Sequence, residues 1–377
     1  MDAFDYVAGV FYFKEYTEEE AATPSTNQWN VTGTGYTILD PGNTWFGRRS
    51  IDRGSFAYAE SYAAFGQATY TPNILENTLH LTAGLRYTHD NKDGTLYKVN
   101  NVKTNFSFDT SVNRVDPMVT LAWDAADDVN VYAKYSTGYR SGGASSRSLT
   151  FNSFGPESVR AYEIGAKSEL FDRRLRLNAA AYMMNRKGSQ TDFSVVAGLI
   201  PGATRNTVET VNAPGLTKIR GLELEATARV TDELTVTGSY AYTSTKTPPT
   251  LDPFTNRVTP VFIVFTPDTA LSAAADYVVP FDAFSFKIHL DGNYASKQRS
   301  FAETSVPTDS FFTMNARIAV AEIDVGRGAF ASFSVWSRNI TNNAYVYRRD
   351  PANRNTLGDY GNLNAPRTFG AEVSVNF

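Results

Sequence analysis

Apolar and polar residues alternate along most of the chain. In 234–242, Leu234, Val236, Tyr240 and Tyr242 share one face, and Thr235, Thr237 and Ser239 share the other. Successive side chains of a strand point to opposite faces, so this period of two predicts a two-faced strand. Segment 284–294 sets Phe284, Phe286, Ile288, Leu290 and Tyr294 against Ser285, Lys287, His289, Asp291 and Asn293. Segments 222–230 and 79–87 repeat the pattern. Fourteen such segments are predicted, near 4–16, 56–71, 78–90, 114–124, 129–140, 157–171, 174–185, 213–230, 233–245, 268–281, 284–296, 310–323, 329–340 and 366–377. Hairpin extensions are expected inside two longer connections, over 94–108 and 192–210.

The connections alternate short and long. Pro72–Asn77, Ala125–Asp128, Asp172–Arg173, Thr231–Asp232, Asp282–Ala283 and Asp324–Gly328 are short, and the intervening ones are long. An antiparallel up-and-down sheet would therefore carry its tight turns at one end and its long loops at the other. Outer-membrane barrels are built this way. A β-sandwich would mix both kinds at both ends.

Composition narrows the choice. No apolar run approaches the ~18 residues that would suggest a membrane helix, yet a strand barrel hides its apolar face in every second residue. Cysteine is absent, which excludes disulfide scaffolds, zinc ribbons and thiol nucleophiles. With 35 basic and 39 acidic residues, the net charge of -4 leaves no basic footprint for nucleic acid. Aromatics make up 13% of the chain, and several fall near strand ends in phase with the apolar face: Tyr87, Trp123, Tyr135, Tyr240, Tyr242, Tyr277, Phe281 and Tyr294. Rings at the headgroup level account for that placement. The opposite face carries Glu163, Lys167, Glu169, Arg176, Asn178, Glu223, Glu225, Arg229, Asp276, Lys287, Asp291 and Arg317. Such a face is too costly for a dry core and fits a hydrated or plugged lumen.

Several stretches resemble the carboxyl-terminal barrel of TonB-dependent outer-membrane receptors. They are Ser61–Tyr70, Leu79–His89 around Gly84-Leu85-Arg86-Tyr87, Tyr132–Gly143, Pro156-Glu157 with Tyr162–Lys167, Arg220–Glu225, Arg338–Thr341 with Asn342 and Tyr345, and the final Phe377. The resemblance runs over 56–377 in the family's order. It implies an all-β, transmembrane, antiparallel up-and-down β-barrel in the bacterial outer membrane, importing a scarce nutrient such as a ferric siderophore. Such barrels have about 22 strands, so the chain is expected to form one partial barrel domain over 1–377, its last fourteen strands, without the N-terminal plug. The partners implied are outer-membrane lipid, a nutrient ligand such as a metal chelate, the TonB complex acting through a plug outside this chain, and the barrel assembly machinery. Two alternatives stay open: a plugless, passive, porin-like channel of fourteen strands, or a barrel fragment without independent function.

Catalytic chemistry is sparse, and neither an enzyme nor a cofactor is expected. His80, His89 and His289 are far apart in sequence, whereas a zinc site needs three or four convergent ligands. Glu223 and Glu225 share a strand face, where Arg176 and Arg229 on neighbouring strands are expected to balance them. Recognition is expected in the long loops, where function concentrates on a rigid scaffold. Trp29, Tyr36, Trp45, Phe46, Arg48 and Arg49 fall in the longest. Tyr345, Tyr347, Arg348, Arg349, Arg354 and Tyr360 fall in the last. Arginine mixed with tyrosine and tryptophan is favoured in binding hot spots, here for an anionic or aromatic-bearing ligand. In the final segment Phe369, Val373, Val375 and Phe377 share a face and are expected to carry the barrel assembly signal.

Overall fold

In the computed structural model the described residues are 3–21, 28–29, 36–37, 53–195, 207–350 and 359–377. Fourteen strands form one sheet. They are β1 (Phe4–Ala21), β2 (Arg53–Tyr70), β3 (Leu79–Val99), β4 (Val102–Ala126), β5 (Val129–Arg140), β6 (Glu157–Leu170) and β7 (Leu175–Lys187). Then come β8 (Leu216–Arg229), β9 (Leu234–Lys246), β10 (Thr269–Pro280), β11 (Ser285–Ala295), β12 (Phe311–Gly326), β13 (Ala329–Arg338) and β14 (Thr368–Asn376). Each strand lies antiparallel beside its neighbour in sequence, so the topology is a plain up-and-down meander. Among the described residues β1 pairs only with β2, and β14 only with β13. All fourteen predicted segments are strands, with most ends shifted by a few residues and the third and fourth strands running about ten residues further toward each other than predicted.

The ladders keep the two faces in phase from strand to strand. Directly opposed residues point the same way, and one row runs Val119–Tyr135–Tyr162–Met183 across β4 to β7. The next row is Leu121–Ala133–Ile164–Ala181–Leu222. Further round, Ile288 faces Ile318, which faces Val335. These side chains are not packed against a second layer: Ile164 is 63% exposed and Leu85 55%. The chain exposes 22767 Å², against the ~15,000 Å² that its mass would give a compact globule.

Irregularities fall near the strand ends. In β12 an extra residue at Ala321–Glu322 shifts the register between Val320 and Ile323. Glu322 takes a left-handed φ of 60° there. The bulge restores Ile323 to the apolar face, opposite Ala331, and leaves Glu322 beside Lys287 at 2.6 Å and Ser285.

The long connection expected over 91–113 is different from its neighbours. Its strands simply continue, Asn91 to Val99 pairing back to Ser111 through Val102. Asn100 and Asn101 close the hairpin with φ of 48° and 67°, the left-handed pair that a two-residue turn of matching twist requires. At this end lies a buried apolar cluster of Leu96, Val99, Phe108 and Phe151. Phe151 belongs to the 141–156 loop and meets Phe108 edge to face at 5.1 Å. The second expected extension is a separate hairpin, Gln190–Val195 with Thr207–Asn212.

On the polar face the charges balance locally. Arg176 reaches Glu169, directly opposite, at 2.9 Å, and Arg229 lies 3.5 Å from Asp232. The expected pairing of these arginines with Glu223 and Glu225 is therefore wrong. Glu225 instead faces Asn178, whose amide is 3.5 Å away. Two tyrosines of this face lie flat over glycines on adjacent strands. A Cβ on Gly165 would come within 2.6 Å of the Tyr132 ring, and one on Gly221 within 2.2 Å of Tyr182. The hydroxyls then reach polar partners, Tyr132 donating to Glu163 at 2.7 Å and Tyr182 meeting Thr243 at 3.1 Å.

Two outcomes follow for unfolding measured in lipid vesicles. Leu224→Arg or Leu290→Arg, on the apolar face, is expected to cost ~2–4 kcal/mol near the bilayer midplane, and Glu225→Arg or Asp291→Arg, one residue along, much less. Equal costs would place the wrong face in hydrocarbon. Gly221→Ala should push the Tyr182 ring aside, break its hydrogen bond with Thr243 and cost about 1 kcal/mol. That cost should disappear in a Tyr182→Ala background.

Candidate ligand cavity among the long loops

The long connections are laced to one another. Glu209 of the 190–212 hairpin accepts from the Ser148 hydroxyl at 2.7 Å and the Leu149 amide at 3.1 Å. The Val208 amide donates to the Arg147 carbonyl at 3.2 Å. Asn212 bonds the backbone of Gly155 and Gly188, and Gln190 bonds the carbonyls of Ser141 and Gly155. Ser194 donates through its amide and hydroxyl to Glu303. Phe262 and Phe265 donate from their amides to Ala302 and Arg299. In the last loop Val346–Asp350 pairs with Tyr360–Leu363, and the Arg349 amide donates to Ser300 at 2.9 Å.

These ties frame an open cavity of about 530 Å³. Its wall takes Arg147 from the 141–156 loop, Arg186 from the end of β7, and the stretch from Ser189 to Val195. Phe262, Phe301 and Glu303 come from the next two loops, and Arg348, Asp350 and Tyr360 from the last. The volume lies in the range of small-molecule sites. The Arg348 guanidinium sits over Phe301 at 5.1 Å and 4.0 Å from Asp350. Tyr360 donates to Asp350 at 3.1 Å. Burial, and then the Asp350 carboxylate, hold the Tyr360 phenol above the ordinary tyrosine range, so it remains a hydrogen-bond donor at neutral pH.

The residues expected to bind ligand divide into three groups. Arg348 and Tyr360 meet in this cavity. Tyr345, Tyr347 and Arg349 are placed otherwise: Tyr345 stacks on Phe311 at 4.5 Å, Tyr347 is exposed, and Arg349 is paired with Asp359 at 3.2 Å. In the first long connection Trp29 pairs with Tyr36 through the backbone. Trp45, Phe46, Arg48, Arg49 and Arg354 lie outside the described residues. Sequence reasoning missed Arg147, Arg186 and the hydroxyl-rich stretch 189–194. The signal available was modest: an arginine in phase with the polar face at the end of a strand, followed by a polar turn.

The histidines sit elsewhere. His80 bridges Thr71 and Asp124, each at 2.9 Å, near the short turns. His289 lies between Asp276 at 2.7 Å and Asp291 at 3.4 Å on the polar face. Among the described residues no three His, Asp or Glu side chains converge to hold a metal ion. In β14 Phe369 and Val373 project from the apolar face, 81% and 71% exposed.

Comparison with known proteins agrees with this architecture. The family model for the TonB dependent receptor-like beta-barrel matches residues 4–342. The ferric-pyoverdine 358 receptor of Pseudomonas putida is 24% identical over 325 residues, covering 80% of this chain and 34% of that receptor. The metal-pseudopaline receptor CntO of Pseudomonas aeruginosa is 24% identical over 160 residues, covering 42% of this chain and 21% of that receptor. Among solved structures, the ferric yersiniabactin uptake receptor FyuA from Yersinia pestis superposes with a TM-score of 0.75 at 17% identity, covering 100% of this chain and 52% of that one. The copper transporter OprC gives 0.65 at 18% identity, covering 99% and 54%. The chain thus spans about a third or less of these curated relatives and about half of these solved chains. With its fourteen-stranded meander, one apolar face and a family match over nearly its whole length, this chain belongs to the TonB-dependent receptor β-barrel family.

Proposed function

We propose that the chain is the barrel part of an outer-membrane receptor that takes up a scarce nutrient as an anionic metal chelate, of which a ferric siderophore is the leading example. The observation that carries this reading is the loop cavity at one end of the sheet, framed by five connections and lined, among the described residues, by three arginines. A sheet whose apolar face meets lipid holds that cavity at the rim of a polar interior. Ligand would be captured by the loops, with Arg348 and Tyr360 among the contacts. Trp29, Tyr36, Trp45, Arg48 and Arg49 of the first long loop would supply a second part of the recognition surface. Transport would draw on the TonB complex through a plug outside the strands described. Phe369, Val373, Val375 and Phe377 would present the carboxyl-terminal strand to the barrel assembly machinery, because one flank of β14 carries no partner strand among the described residues. The relatives support the ligand class: the names of two of them specify ferric pyoverdine and metal pseudopaline.

The test is uptake of a panel of radiolabelled ferric chelates by cells lacking their other receptors and producing this protein in the outer membrane. Accumulation of at least one chelate, abolished by a protonophore, is the expected result. No energised accumulation of any of them, together with steady ion conductance in planar bilayers, would replace the receptor with a passive channel.

A further inference from the structure

We infer that the loop cavity recognises a ligand by its aliphatic carboxylates rather than by aromatic rings, with the guanidinium groups of Arg147 and Arg186 as the anchors. This deepens the receptor reading above and rests on it.

Among the described residues the cavity wall contains acids and bases in equal number, but they are not equally engaged. Asp192 accepts from Thr210 at 2.7 Å, Glu303 from Ser194, and Asp350 from Tyr360. Arg348 lies within reach of Asp350 and Asn362. The guanidinium groups of Arg147 and Arg186, by contrast, make no ion pair or hydrogen bond among the described residues. Arg147 is exposed and Arg186 half-buried. Their backbones are nevertheless fixed. Arg147 is held by Val208 and, through its neighbour Ser148, by Glu209. Arg186 is locked in the β7 ladder between Val159 and Thr217. Two positioned and unneutralised forks of donors are what a carboxylate accepts bidentately.

The aromatic alternative is weaker at the same wall. Phe301 already has one face covered by Arg348, and Phe262 has one covered by Arg299 at 3.8 Å. The remaining lining is rich in hydroxyls. Among these, the Thr247 Oγ1 is shielded from solvent and has no hydrogen-bond partner among the described residues. Such hydroxyls can donate to the several oxygens of an aliphatic carboxylate and offer a ring no face to stack on.

The experiment compares two iron(III) complexes on the purified full-length protein in detergent: ferric citrate, which carries aliphatic carboxylates, and iron(III) tris-catecholate, which is also anionic but has none. Binding is read by intrinsic fluorescence quenching. Ferric citrate is expected to bind more tightly. Arg147→Gln and Arg186→Gln should each weaken it about tenfold to a hundredfold, and Arg186→Lys should recover part of the loss. Heat-modifiable gel mobility identifies any variant that fails to fold, and Arg186→Lys keeps the question open to measurement in that event. Tighter binding of the catecholate, or ferric citrate held equally by the Arg147→Gln/Arg186→Gln double variant, would overturn the assignment. Binding of neither complex would overturn it too, even where the uptake panel finds another chelate transported. Arginine-dependent binding of citrate without energised uptake of any chelate would spare the cavity and remove the receptor reading.

Discussion

The structure depends on keeping one face of a very wide sheet apolar without interruption. In hydrocarbon every backbone amide and carbonyl must find its partner within the protein, and neighbouring strands supply those partners only when paired along their length. A slip of one residue in any ladder would turn an entire strand's apolar set to the wrong side. The observed registers avoid this across thirteen strand pairs. Where the count would go wrong, in β12, a bulge at Ala321–Glu322 absorbs the extra residue and restores Ile323 to the apolar side. The acidic side chain exposed by the bulge is taken up by Lys287 and Ser285. The polar face follows from the same periodicity, since alternation that commits one side to hydrocarbon commits the other to water or to polar partners.

That periodicity explains why so much of the fold could be read from the chain. A strand's faces are local: Leu222 and Leu224 against Glu223 and Glu225 need no knowledge of any neighbour. Register is not local. The expected balance of Glu223 and Glu225 by Arg176 and Arg229 had the correct face and the wrong partners, because Arg176 is directly opposite Glu169 and Arg229 lies beside Asp232. The hairpin across Asn100–Asn101 was legible in part. Its alternation weakens beyond Asn91, where both strands leave the apolar band, but its two turn residues are among those that adopt positive φ readily.

The loop cavity was much less legible, for a physical reason. It is made by contacts between five connections separated by up to about two hundred residues, and among the described residues its wall mixes serines and threonines with apolar and charged side chains in similar numbers. Aromatic and arginine density, the guide used on the sequence, found Arg348 and Tyr360. It also selected Tyr345, which packs on Phe311, and Arg349, whose charge is spent on Asp359. A residue type shows what a side chain can do, and only its neighbours show whether that capacity is already used. Arg147 and Arg186 matter because the described residues around them leave their charge unanswered, a property with no trace in local sequence.

The two levels of order are linked through the strand ends. Arg186 belongs to the rigid ladder of β7, whereas Arg147 rides on a loop held by Glu209, Asn212 and the packing of its Phe151 on Phe108 of the extended hairpin. A cavity with one anchor on a strand and another on a braced loop can hold its charges apart without collapsing, since the ladder fixes one side and side-chain bonds fix the other. The bracing groups are themselves short polar side chains: Asn212, Gln190, Ser194 and Ser300. Each ties one connection to the backbone or carboxylate of another, so mutual hydrogen bonding adds to the buried cluster of Leu96, Val99, Phe108 and Phe151 in stabilising the loops. Such bonds contribute only about 1 kcal/mol apiece. The strength of the assembly lies in their number and in the anchorage of every loop at both ends by a strand that cannot shift register.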